Sequence, residues 1–220
     1  MRVLTQPVFH LSEISESAKE NARNWYRQSA FDNDWFDAVY EDAANIADII
    51  GIDIRNRKVS LGNGTTRYDG INIRFSGFWS QGDGAHFEGR YSYAKGASKD
   101  IREYAPQDEE LHRIADEFQA VQRKSFYGIT AKVKHRGHYQ HENCTDIDVE
   151  MTEDRHGNYR YASCETERQI KEILRSFMRW IYRSLEKDYD YHSSDEVVDE
   201  NIAANGYEFT SDGERVIQIH

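Results

Sequence analysis

The sequence predicts an α+β fold in which helices flank a mostly antiparallel sheet. Three observations carry this. Stretches with apolar residues every three or four positions stand apart from stretches that alternate in twos. The alternating stretches follow one another in runs, unlike the regular strand–helix–strand order of a parallel sheet. Turns rich in Gly, Asn and Asp divide them, and only two prolines occur in 220 residues. With 38% apolar and 13% aromatic residues, a chain of this length can bury a substantial core. One α+β domain is expected over residues 1–192, with a small helix-plus-hairpin appendage at 193–220 packed on it.

"VLTQPVFHL", residues 3–11, reads as a first strand, and Pro7 restricts it to an edge or bulge because it has no N–H to donate. Ser12 is a candidate cap for a helix to Gln28, with Ala18, Ala22 and Trp25 on the inner stripe. A second helix is expected from Asp34 to Ile50. There Trp35, Val39, Ala43, Ile46 and Ile50 recur at helical spacing, and Gly51 can end the helix in the left-handed conformation. From Ile52 the period becomes two. Residues 51–54, 58–61 and 71–79 read as strands, with Ile71, Ile73, Phe75 and Trp79 on one face, and 85–93 as the return strand after Gly82-Asp83-Gly84.

A third helix should start at the Asp108 cap, bury Leu111, Ile114, Phe118 and Val121, and end near Gly128. Residues 128–135 and 144–151 read as strands, and 157–163 as another. The longest helix is expected over 165–189, where Ile170, Leu174, Phe177, Ile181 and Leu185 form an apolar stripe. A short helix follows Ser194, and "GYEFTSDGERVIQ" closes the chain as a hairpin turned at Ser211-Asp212-Gly213.

The net charge of −11 is concentrated in two blocks. Residues 31–53 hold seven acids and no Lys or Arg, and residues 186–214 hold ten acids against Lys187 alone, so the rest of the chain is net positive. Repulsion rules out direct binding of nucleic-acid phosphate through those blocks. No apolar run reaches the ~18 residues of a membrane span, and the start "MRVLTQPVFHLSEIS" lacks the layout of a secretory signal. A cytoplasmic protein without membrane contact is expected. Cys144 and Cys164 have no CxxC partner and read as free thiols.

Two stretches invite a chemical reading. Around the Gly-Asp-Gly turn, Arg74, Ser76 and Ser80 share the parity opposite to Ile71, Ile73, Phe75 and Trp79, and His86, Glu88 and Arg90 fall together on the return strand. Facing the same way, Ser76, Ser80, Asp83, His86, Glu88 and Arg90 would line a small-ligand or acid–base site, the turn amides capturing an anion. The competing reading is a solvated sheet face with cross-strand Glu–Arg pairs. His135, His138 and His141 offer imidazoles, but on a strand this spacing sends His138 to the opposite face, so no metal is expected. Lys132, Lys134 and Arg136 opposite Asp146, Asp148 and Glu150 make a charged ladder instead. Walker, GxGxxG, GxSxG and Cys–His protease signatures are absent, and no cofactor is implied.

The acidic blocks offer the other reading. Asp34, Asp37, Glu41 and Asp48 fall near one stripe of the second helix, with Asp42 in the same block. Glu186, Asp188, Asp190, Asp195, Glu196, Asp199 and Glu200 form the second block. Either they keep the surface solvated, or they imitate a phosphate backbone and dock in a basic groove. Duplex DNA carries a charge about every 1.7 Å, so one helix face is too sparse and the two blocks would have to converge.

"FSGFWSQGDGAHFEG", "YAPQDEELHRIADEFQAVQRKSFY", "KHRGHYQHEN" and "ANGYEFTSDGERV" resemble a family of phage, prophage and plasmid-borne proteins commonly labelled "antitoxin of toxin–antitoxin stability system". The likeness runs from about Trp35 to Val216. It implies a mobile-element accessory protein acting inside a bacterial host, and no catalytic residues carry over. The leading expectation is a non-enzymatic inhibitor of a host defence complex with a basic groove, a CRISPR effector or restriction nuclease, bound through the acidic residues of both blocks. The alternatives are an enzyme or nucleotide binder using the 76–90 hairpin, and an antitoxin neutralising a cognate toxin.

Overall fold

In a computed structural model the chain is described at residues 7–54, 56–61, 65–152 and 161–216. The fold is α+β, helices accompanying antiparallel strand pairs. Packing divides the chain into two compact units, residues 37–186, and residues 1–36 together with 187–220. The tail expected as an appendage from residue 193 belongs, with the N-terminal helix, to the second of these.

In the larger unit α2 (Asp37–Ile50) buries Ala43, Ile46, Ala47 and Ile50. It begins three residues later than expected, because the Asp32 carboxylate accepts the Asp34 N–H at 3.0 Å and holds the preceding segment in a turn. Gly51 ends the helix at φ +86°, as expected. Strands β1 (Ile52–Ile54), β6 (Gly89–Ser92), β7 (Ile129–His135) and β8 (Thr145–Met151) form a four-stranded sheet in the order β1-β6-β7-β8, every pair antiparallel. Strands β2 (Asn56–Leu61) and β3 (Thr65–Ile71) pair with each other, as do β4 (Ile73–Ser76) and β5 (Gly84–Phe87).

Two strand expectations need correction. The strand expected over 71–79 ends at Ser76, so Trp79 lies beyond it, 78% exposed, and does not continue the face of Ile73 and Phe75. The single return strand expected over 85–93 breaks at Glu88, β5 pairing with β4 while β6 runs between β1 and β7. Helix α3 (Ala97–Tyr104), read from sequence only as a connection, buries Ala97 and Ile101 one turn apart. The strand expected over 157–163 falls mostly outside the described residues, and residues 161–163 are not strand.

Helix α4 (Glu109–Lys124) is capped as expected, the Asp108 carboxylate accepting the Leu111 N–H at 3.0 Å. Leu111, Ile114, Phe118 and Val121 are buried, and Phe118 stacks on Tyr91 with centroids 4.2 Å apart. Helix α5 (Cys164–His192) buries all five expected stripe residues; Phe177 meets Phe87 at 5.8 Å, and the Trp180 indole donates to Asp108 at 2.8 Å. Burying each such aromatic ring stabilises the unit by about 2–3 kcal/mol. Fully buried Gln122 joins the end of α4 to β7, donating to Ile129 O at 2.7 Å and accepting the Ile129 N–H at 3.2 Å. The charged ladder of β7 and β8 is present, with Lys132–Glu150 at 3.1 Å and Arg136–Asp146 at 2.6 Å, exposed pairs worth little each.

In the second unit the expected first strand is reduced, over its described residues, to one bridge between Phe9 and Phe209, and residues 11–13 form a 3-10 turn. The helix α1 (Glu16–Ser29) is capped by Ser15, not Ser12. Glu13 explains the shift: its carboxylate accepts the His10 N–H at 2.7 Å and closes a separate turn first. Leu11, Ala18, Ala22 and Tyr26 pack with Val198 and Ile202 of α6 (Asp195–Ala204) and with Phe209 of the closing hairpin, Trp25 lying at the edge of the cluster. The Arg215 guanidinium sits 4.7 Å from the Tyr207 ring and 5.7 Å from Trp25.

The sharpest local constraint is at Gly51, where an added Cβ would stand 2.1 Å from Ser92 O. The left-handed backbone alone costs a non-glycine residue about 1–2 kcal/mol. Gly51→Ala is expected to lower unfolding free energy by at least about 2 kcal/mol in a denaturant titration, since Ser92 must also move off β6.

Candidate functional site

The turn between β4 and β5 is built by one carboxylate and two glycines. Asp83 Oδ2 accepts the N–H groups of Trp79 at 3.1 Å and Ser80 at 2.7 Å, and Asp83 N–H donates back to Ser80 O at 3.1 Å. Gly82 takes φ +94°, and a Cβ there would lie 2.8 Å from the Tyr139 ring. A Cβ on Gly84 would lie 2.9 Å from His141 Cα. The glycines therefore let the 136–144 loop close directly on the turn. Tyr182 of α5 donates to Gly77 O at 2.9 Å and lies beside Phe78, centroids 5.5 Å apart.

Two imidazoles lie beneath this contact. His86 of β5 stacks on His135 at the end of β7, centroids 4.0 Å apart and planes within 11°. His86 is 1% exposed, and its Nδ1 has no partner among the described residues. Burial, then the neighbouring His135, pushes its pKa down to about 4, against a hydrogen bond with the Gln140 backbone that pulls the other way. His86 is therefore neutral near pH 7. Glu88 binds across the same junction, accepting Asn72 Nδ2–H at 3.1 Å and the His135 N–H at 2.9 Å.

Glu142 is a participant that sequence reasoning missed. It is buried, with a carboxylate oxygen 3.4 Å from Arg179 Nη1 and the other 3.0 Å from His141 Nδ1. Arg179 also donates to Ser176 at 2.9 Å and to Glu172 at 2.5 Å. The available signal was on α5: Glu172, Ser176 and Arg179 recur at helical spacing along a polar flank of the apolar stripe.

The polar strip expected along the hairpin does not assemble. Asp83 is spent on its own turn, Glu88 on the strand junction, and His86 is enclosed. Ser76 is half-buried, Ser80 exposed, and Arg90 projects from β6 opposite Asp53 and Lys132 in the other sheet. The three expected imidazoles also go separate ways: His135 stacks on His86, His138 is exposed against Tyr139, and His141 accepts the Asn143 N–H at 3.1 Å. Among the described residues no group of three or more His, Cys, Asp or Glu is arranged to hold a metal ion.

The first acidic block is displayed along α2. Asp37, Glu41 and Asp48 are exposed on the side opposite the buried Ala43, Ile46, Ala47 and Ile50. They span about 16 Å of helix. Asp42 lies off this stripe and accepts the Tyr104 hydroxyl at 2.7 Å. Asp34, expected on the stripe, precedes the helix. The second block is partly spent inside its own unit. Asp195 pairs with Arg23 at 3.2 Å and Arg27 at 2.5 Å, and Asp199 pairs with Arg23 at 2.6 Å. Asp188 is half-buried, 3.7 Å from His192, and Glu186 is half-buried; Asp190, Glu196 and Glu200 are exposed.

These features define an α+β domain in which a β-hairpin and a histidine-rich loop are locked together beside a long helix. Residues 35–195 match the family described as "Domain of unknown function (DUF8835)", and the chain belongs to that family. The matched stretch brackets the larger unit. Set against curated proteins and against solved structures, the chain finds no match. Among the described residues no helix is long and apolar enough to cross a membrane.

The His86 environment makes a signed prediction. Because its folded pKa lies below the unfolded value of about 6.5, the unfolded chain binds the extra proton first as pH falls. The stability from neutral His86 is present above pH ~6.5 and is lost progressively down to about 4. The loss amounts to about 3 kcal/mol. His86→Phe, which keeps a ring to stack on His135, is expected to remove up to one proton of uptake from the unfolding free energy measured against pH across that window; an unchanged slope counts against the assignment.

Proposed function

We propose that this protein is a non-enzymatic inhibitor carried by a phage-like element, which docks an acidic surface in the basic groove of a host defence complex such as a CRISPR effector or restriction nuclease. The observation that carries the reading is the α2 stripe, where Asp37, Glu41 and Asp48 project together from a helix that has no Lys or Arg. In the other unit Asp190, Glu196 and Glu200 of the second block are exposed as well. Asp195 and Asp199, already paired with arginines, contribute less. Three carboxylates over about 16 Å are far sparser than a duplex charge every ~1.7 Å, so the stripe suits a short row of Lys or Arg side chains better than it copies a nucleic acid. The family resemblance supports the choice of partner class.

The hairpin reading as an enzyme or nucleotide site has less support, since His86 is enclosed and Asp83 and Glu88 are engaged in the fold. The antitoxin reading uses the same acidic surface on a different basic partner, and co-expression with a cognate toxin separates the two.

The test is charge reversal. With Asp37→Lys and Glu41→Lys together, inhibition of a purified defence nuclease should fall at least tenfold, while the thermal unfolding midpoint stays within a few degrees. Wild-type binding should weaken as salt rises, exposed charges being screened beyond roughly 8 Å at physiological ionic strength. Full inhibition by the reversed variant would sink the proposal.

A further inference from the structure

Helices α4 and α5 run antiparallel, and polar contacts bridge them at one end. There Asp108 accepts the Trp180 indole N–H at 2.8 Å and Glu110 pairs with Arg183. Toward the other end a groove of about 320 Å³ opens between the two helices. Glu117, Ala120, Val121 and Lys124 line it from α4, their spacing placing them along one helix face. Ala120 offers only a methyl group on that face, which leaves the gap, and buried Val121 and Ile173 give it an apolar floor. A volume of this size is at the small end of the range that ligand clefts occupy, with room for a small molecule.

The charges on the lining select the occupant. Glu117 is paired with Arg113 at 2.7 Å, Glu172 with Arg179 at 2.5 Å, and Arg168 holds Glu165 through two N–H groups at 3.0 and 2.8 Å. Lys124 also lines the groove, and its ammonium makes no hydrogen bond or ion pair with a described residue. The Glu165 carboxyl is held below the usual carboxylate range first by its Arg168 hydrogen bond, the Lys124 charge adding less. Three N–H donors without a protein acceptor, beside an apolar floor, favour a ligand with one negative charge on an apolar body. A cation of the same shape would be repelled, and a neutral molecule would gain only the burial of its chain.

We propose that the α4–α5 groove binds a small amphipathic monocarboxylate, whose apolar chain lies on Val121 and Ile173 and whose carboxylate meets Lys124. The site lies within the larger unit and goes beyond the function proposed above. It makes no use of the α2 stripe, so it stands whether or not that stripe docks a partner.

The experiment uses the full chain with isotope-labelled isoleucine δ-methyl groups, the Ile173 resonance being assigned with Ile173→Val. Octanoate is titrated against octanol, which carries the same chain without the charge, and against octylammonium. The expected result is a saturable Ile173 shift with octanoate, with an affinity about fivefold weaker for octanol, the worth of one partly exposed ion pair, and weaker still for octylammonium. Lys124→Gln should bring octanoate down to the octanol affinity and leave octanol unchanged, a split that a merely structural role would not produce. Ala120→Leu, a larger side chain at an exposed helix position, should fill the groove and abolish both shifts while the thermal unfolding midpoint stays within a few degrees. No saturable Ile173 shift up to millimolar octanoate, equal affinities for octanoate and octanol, or octanoate binding untouched by Lys124→Gln or by Ala120→Leu overturns the proposal. The Asp37→Lys, Glu41→Lys protein should retain the Ile173 shift, so failure of the α2 reading and failure of this one are told apart.

Discussion

The larger unit turns on the carboxylate of Glu88. Here the chain leaves the β4–β5 pair and enters the four-stranded sheet, and backbone groups lose their ladder partners at such a step. Glu88 compensates with both oxygens and its own amide: its N–H donates to Asn72 O at 3.3 Å, while its carboxylate takes Asn72 Nδ2–H and the His135 N–H. One side chain thus fixes where β4, β5 and β7 stand relative to one another. The His86–His135 stack and the seating of the 136–144 loop depend on that registration.

The same constraint engages residues that look catalytic in the sequence. A half-buried carboxylate with two hydrogen-bond donors and a buried neutral imidazole satisfy a sheet junction well. Asp83 repeats the pattern on a smaller scale, its carboxylate replacing backbone acceptors in a tight turn. What the hairpin leaves outside includes Arg74, Trp79, Ser80 and Gln81.

The second unit spends charge differently. Asp195 and Asp199 hold α6 to α1 through Arg23 and Arg27, and Asp199 raises the Arg23 pKa chiefly through a direct hydrogen bond. Half-buried pairs of this kind orient helices more than they add net stability, because desolvation offsets much of the attraction. A block that looks uniformly acidic in one dimension therefore contains both structural and freely displayed carboxylates.

Local chemistry by itself determined the long helices, the Asp108 cap, the Gly51 terminus, the β7 and β8 strands and the α+β class, because periodicity, caps and turn residues act over a few positions. It also located the two acid-rich blocks. Tertiary structure alone decided that Trp79 faces solvent, that residues 85–93 divide between two sheets, that Glu142 meets Arg179, and which acids of the second block are neutralised. Each of these depends on a partner tens of residues away, a Tyr139 ring against Gly82 or an Arg23 against Asp199. Alternation along one strand says which residues share a face but nothing about what covers that face.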